Sequence, residues 1–149
     1  PVMTTLNPFH LAIPVSDLEQ TCAFYERILG CVRGRESETW VDLDFMGHQV
    51  VLHRVADQPV TEGDTRPVDG EQVPVPHFGV VLDWEAFAAL SERLVAKGVD
   101  FLISPTTRFE GRAGEQRTCF LRDPSGNHLE FKTFKDPSML FATDRQPYE

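Results

Sequence analysis

The chain has 149 residues, enough for one domain of ordinary size or for two small modules sharing a core. Its 41% apolar and 25% charged residues are in the range of a globular protein. A formal charge of -9 argues against a nucleic-acid or anionic-membrane surface, since both need clustered Lys and Arg, so a small molecule is the expected partner.

Three cysteines, Cys22, Cys31 and Cys119, are an odd number without CxxC spacing, so neither a disulfide framework nor a zinc knuckle is expected, and the cytoplasm is the expected compartment. The opening residues show no basic segment leading into an apolar run. No stretch approaches the roughly 18 apolar residues of a membrane helix.

Taken in order, Phe9, Leu11 and Ile13 alternate with His10 and Ala12, which predicts a half-buried strand ended by Pro14, with His10 on its second face. Ser16 with Glu19 three residues later reads as a capping box. Leu18, Cys22, Tyr25 and Leu29 recur at helical spacing until Gly30 supplies a C-cap. Strands follow near 31–35, over 38–45 and over 49–55, with a turn at Met46-Gly47-His48. The first module, βαβββ, therefore spans 1–55.

Residues 56–73 are rich in Asp, Pro, Gly and Thr and read as a surface connection. The pattern restarts at 74. Residues 75–82 alternate, with His77, Gly79 and Val81 on one face. Asp83 caps a helix whose Phe87, Leu90 and Leu94 form an apolar stripe, closed at Lys97-Gly98. A strand over 99–103, a polar loop over 104–116 and a strand over 117–122 lead to Asp123-Pro124-Ser125-Gly126-Asn127, whose residues are those of a tight turn. In the strand after it, His128, Glu130 and Lys132 share one face. The second module is 74–134, again βαβββ, and 135–149 is a tail carrying Met139, Leu140 and Phe141 that would dock at an interface or over a site mouth.

Setting His10 on His77 and Gly47 on Gly126 aligns the two modules. Ala12 then matches Gly79, which leaves space beside both histidines, and Glu130 matches Val51, so the first module offers a histidine and no carboxylate. Two strand histidines and a strand carboxylate are the components of a two-His-one-carboxylate metal site, which holds a divalent first-row metal on one side and leaves positions open for substrate. The structural alternative for Glu130 is a cross-strand salt bridge to Lys132 or a neighbouring arginine.

These residues resemble the vicinal oxygen chelate superfamily of glyoxalase I, extradiol dioxygenases, fosfomycin-resistance transferases and bleomycin-resistance proteins. The resemblance is carried by Phe9-His10-Leu11-Ala12-Ile13-Pro14-Val15-Ser16-Asp17-Leu18, Ala23-Phe24-Tyr25, Ile28-Leu29-Gly30-Cys31, His77-Phe78-Gly79-Val80 and Asp123 to Phe131. It implies an α+β fold of two paired βαβββ modules, a cup-shaped mixed sheet with helices outside, and a metal at His10, His77 and Glu130. Val51 removes the fourth ligand of a glyoxalase. The long second loop and the lack of a potassium-binding segment favour an extradiol-type dioxygenase using Fe(II) on a catechol-like substrate. The alternatives are a transferase, isomerase or lyase with Mn, Zn or Ni, and a non-enzymatic antibiotic-binding protein. Chains of this length in the family often pair modules between subunits, which implies a homodimer with shared metal sites.

Around that set, His53 and Gln49 fall on the face of Val51. His53 is the candidate catalytic acid or base, against a surface histidine, and Gln49 is a candidate substrate contact. Arg108, Arg112 and Arg117 lie in or beside the long loop of an acidic chain and are suited to an anionic substrate or to solvent. Phe109 is a lid residue or the loop's anchor. Cys119 reads as a core residue, with no activating base nearby.

Overall fold

The computed structural model describes residues 6–55 and 64–144. The chain divides into two units, Pro1–Thr61 with Pro124–Asn127, and Glu62–Asp123 with His128–Glu149. Among the described residues no helix is long and apolar enough to cross a membrane.

The first unit runs β1 (His10–Val15), α1 (Leu18–Arg27), β2 (Val32–Glu36), β3 (Trp40–Phe45) and β4 (His48–Arg54), with sheet order β1-β4-β3-β2. β1 pairs parallel to β4, and the other pairs are antiparallel. Met46 and Gly47, both at positive φ, make the two-residue β3–β4 turn that matches strand twist. Leu18, Cys22 and Tyr25 on one helix face, and Leu29 just past the helix, are buried, as are Val41, Leu43, Phe45, Val50 and Leu52 on one sheet face. Each such side chain contributes about 1.5–3 kcal/mol through lost water contact. The N-cap is Asp17, whose carboxylate accepts from the Gln20 amide, rather than Ser16. The Ser16 amide donates instead to Ser125 Oγ at 3.0 Å, which rules out the expected capping box. Ser125 also shares a 2.6 Å hydrogen bond with buried Thr21 Oγ1, and Asn127 Nδ2 donates to the Pro14 carbonyl, so residues 124–127 fold with the first unit.

The second unit repeats the plan with β7 (Phe78–Leu82), α2 (Trp84–Ala96), β8 (Phe101–Arg108), β9 (Gln116–Arg122) and β10 (His128–Phe134), in sheet order β7-β10-β9-β8. Ala12 faces Val51 in the first sheet as Gly79 faces Glu130 in the second, the equivalence the alignment predicted. Asp83 caps α2 by accepting from Ala86, and Phe87, Leu90 and Leu94 are its buried stripe. The α+β class and the doubled βαβββ plan are therefore as expected.

Two expectations change. Of the segment read as a connection, 56–63 lies outside the described residues, but β5 (Asp64–Val68) and β6 (Glu71–Val75) form a hairpin preceding β7, from which the cis Val75-Pro76 bond separates it. Its turn is Asp69-Gly70, both at positive φ, a hairpin signal hidden by the segment's polar composition. The polar loop is also shorter than predicted. β8 continues to Arg108, because Pro105 sits on an edge strand at a register shift, where a missing N–H costs little. In the tail, Pro137–Phe141 is a 3-10 turn capped by Asp136, and 145–149 lies outside the described residues.

Candidate metal centre

In the second unit, Glu130 stands on β10 between β7 and β9, with His77 one residue before β7. His77 Nε2 lies 3.2 Å from Glu130 Oε1, and Thr118 Oγ1 donates to Oε2 at 2.5 Å. The Phe120 ring packs edge-on against the His77 ring, with centroids 5.1 Å apart. His77 Nδ1 is 2.6 Å from the Pro74 carbonyl, on β6 of the hairpin. A carbonyl can only accept, so Nδ1 carries a hydrogen and Nε2 is the nitrogen left to bind Glu130 or a cation.

Burial pushes the Glu130 carboxyl up. The His77 and Thr118 hydrogen bonds outweigh it and hold the group below the usual carboxylate range. The Glu130 hydrogen bond raises His77 above an ordinary imidazole, against the opposing effect of burial. Glu130 is thus paired with His77 and Thr118, and Lys132 acts on it only through charge. Gly79 is required here because a Cβ would stand 1.5 Å from the Glu130 carbonyl oxygen. The small residue serves backbone approach, where the sequence suggested room beside a histidine.

The first unit presents His10 on β1 beside Gln49 on β4, with His10 Nδ1 2.7 Å from Gln49 Oε1. Gln49, read as a substrate contact, is thus engaged with a proposed ligand. His48, expected only in a turn, accepts the Phe9 amide at Nδ1. Val51 is buried, and exposed His53 lies on its face opposite Trp40.

The loop candidates are more dispersed. Arg108 is turned onto the hairpin, its guanidinium donating to the Val68 and Asp69 carbonyls and lying 3.6 Å from the Asp69 carboxylate. Phe109 takes positive φ and its carbonyl accepts the Arg112 amide, so it anchors the turn, while Arg112 is exposed. Buried Glu115 organises the same loop by accepting from the Gly111 amide, with Lys135 at 3.7 Å. Arg117 stacks on Trp84 at 4.2 Å. The three thiols are buried, and burial pushes each up to about 12, which removes them as nucleophiles.

Thr118, Pro74 and Phe120 escaped the sequence reading because each reaches the site through strand register or an inserted turn. Among the described residues of the second unit, no third His, Cys, Asp or Glu joins His77 and Glu130. The donor chemistry nevertheless fits a divalent metal. Both histidines have Nδ1 on an oxygen, His10 can offer Nε2, His77 can offer its Nε2 in place of the contact with Glu130, and Glu130 is held as the anion.

Comparison with known proteins agrees with this architecture. A structure of a glyoxalase/bleomycin resistance protein/dioxygenase from Alicyclobacillus acidocaldarius is 37% identical, with a TM-score of 0.75 over 91% of this chain and 96% of that one. The fosfomycin resistance protein FosX from Listeria monocytogenes, 18% identical, shares the fold at a TM-score of 0.65, over 93% of this chain and all of that one. The metallothiol transferase FosB of Lysinibacillus sphaericus is 26% identical over 88% of this chain and 84% of its own length. Residues 8–131 match the family described as the Glyoxalase/Bleomycin resistance protein/Dioxygenase superfamily. With its duplicated βαβββ plan and its strand histidines, the chain belongs to that superfamily.

Proposed function

We propose that the protein is a divalent-metal-dependent enzyme that transfers a thiol to a small, oxygen-bearing electrophile, with His10, His77 and Glu130 as the metal ligands. The observation that carries the metal is the matched pair of Nδ1 hydrogen bonds, to Gln49 Oε1 and to the Pro74 carbonyl, which leaves Nε2 of each ring as the nitrogen to face a cation, for His77 in exchange for its contact with Glu130. The transferase chemistry is favoured by the likeness to a metallothiol transferase, and the loop length that pointed toward a dioxygenase shrinks once β8 runs to Arg108. When bound, the metal supplies Lewis acidity to substrate oxygens.

The chain's own groups do the rest. Thr118 keeps Glu130 anionic and oriented. His53 carries the thiol's proton to the substrate oxygen as the sulfur–carbon bond forms and that carbon–oxygen bond opens. Arg112 and Phe109 meet an anionic substrate from the loop, with the Gln49 amide nitrogen as a further contact. Arg108 holds the hairpin that carries Pro74. The protein acts as a homodimer with shared sites, in the cytoplasm, where three reduced thiols are at home.

The test is metal analysis of protein purified without oxygen, wild type beside Glu130→Ala, followed by mass-spectrometric detection of thiol conjugates with a panel of small electrophiles. Near-stoichiometric Mn, Zn or Ni that falls at least tenfold in the variant, with metal-dependent conjugates, is expected. A wild type that takes up no metal at neutral pH sinks the reading. Restored binding on mixing His10→Ala with Glu130→Ala chains is expected if sites are shared. A second reading is kept by Val51, which leaves a three-ligand set: stoichiometric iron with oxygen uptake on catechols would return the extradiol dioxygenase.

A further inference from the structure

We propose that Gln49 is a positioning residue that selects the Nδ1–H tautomer of His10, so that Nε2 presents its lone pair. This rests on the reading of His10 as a metal ligand. A neutral imidazole has one N–H and one bare nitrogen, and which is which follows from the hydrogen bonds on offer. His10 Nδ1 is 2.7 Å from Gln49 Oε1, an oxygen that can only accept, so the hydrogen belongs on Nδ1.

The fold fixes this contact. His10 and Gln49 are direct partners in the parallel β1–β4 pair, and the Gln49 amide donates to the Phe9 carbonyl at 2.8 Å while the Phe9 amide donates to His48 Nδ1 at 2.9 Å. The strand register and the two hydrogen bonds of neighbouring Phe9 therefore set the distance between the two side chains. His10 is exposed, and water alone would not enforce one tautomer. The second module reaches the same end differently. The position equivalent to Gln49 is His128, which accepts from Arg122 Nε, and His77 uses the Pro74 carbonyl instead. One histidine is set by a side chain, and can be reset by mutation.

The experiment is a long-range 1H–15N spectrum of the full-length, metal-free, 15N-labelled protein at about pH 8, above the ordinary imidazole range, with His10 assigned by the signals lost in His10→Ala. Wild type, Gln49→Ala and Gln49→Glu are compared, then titrated with Zn2+. A protonated Nδ1 and bare Nε2 are expected in wild type and in Gln49→Glu, which keeps an acceptor, with conversion toward Nε2–H in Gln49→Ala. Zn2+ affinity should fall about tenfold in Gln49→Ala and recover in Gln49→Glu. An Nε2–H tautomer in wild type, or an unchanged tautomer in Gln49→Ala, overturns the proposal. If the tautomers behave as expected and wild type binds no Zn2+, Gln49 keeps its role and the metal reading falls.

Discussion

The two modules share strand order and register but meet different demands at the same place. Where the first puts Ala12 beside Val51, the second puts Gly79 beside Glu130. The first pair is an ordinary apolar contact on a sheet. The second brings a backbone carbonyl so close that no Cβ fits, and places an anion between His77 and Thr118. A duplicated scaffold has kept its hydrogen-bond ladder and concentrated the charged chemistry, with its added backbone constraint, in one copy.

The comparison breaks most severely at Gly79. Gly79→Ala would drive a methyl into the Glu130 carbonyl and separate β7 from β10, so a loss of about 3 kcal/mol or more is expected in urea unfolding. Thr118→Val removes the donor on Glu130 Oε2 and leaves an interior carboxylate oxygen short of a partner, for an expected loss of about 2 kcal/mol by the same measurement. Ala12→Gly makes the first module imitate the second. With no close carbonyl to accommodate, it should cost only the extra backbone entropy, about 0.5–1 kcal/mol, read as a small fall in the unfolding midpoint. If Gly79→Ala proved as mild as Ala12→Gly, the asymmetry between the copies would be lost.

The sequence made the repeat legible because helix stripes such as Leu18-Cys22-Tyr25 and Phe87-Leu90-Leu94, and turns such as Met46-Gly47, are local signals. It misled where a local signal was outvoted by pairing. Pro105 looked like a strand breaker and is tolerated at an edge, and Asp69-Gly70 was lost among polar neighbours although its two positive φ angles make a hairpin turn. Ser16 lost the cap to Asp17 because Ser125, distant in sequence, takes its amide. His77 and Glu130 were visible as residue types on alternating faces. Their supports were not, since Thr118 and the Pro74 carbonyl join them through cross-strand register and an inserted hairpin that no spacing rule encodes.

The turn at 124–127 has a consequence for how such a chain can be cut or inherited. Although it links two strands of the second sheet, its Ser125 and Asn127 satisfy the Thr21 hydroxyl, the Ser16 amide and the Pro14 carbonyl of the first unit. A gene severed near codon 61 would therefore yield an amino-terminal fragment with a buried hydroxyl and two main-chain groups orphaned, not a self-sufficient ancestor. The dependence runs one way, since part of the first unit is encoded within the second unit's stretch of sequence, and recombination that swaps the first module between relatives must carry this short turn along with it.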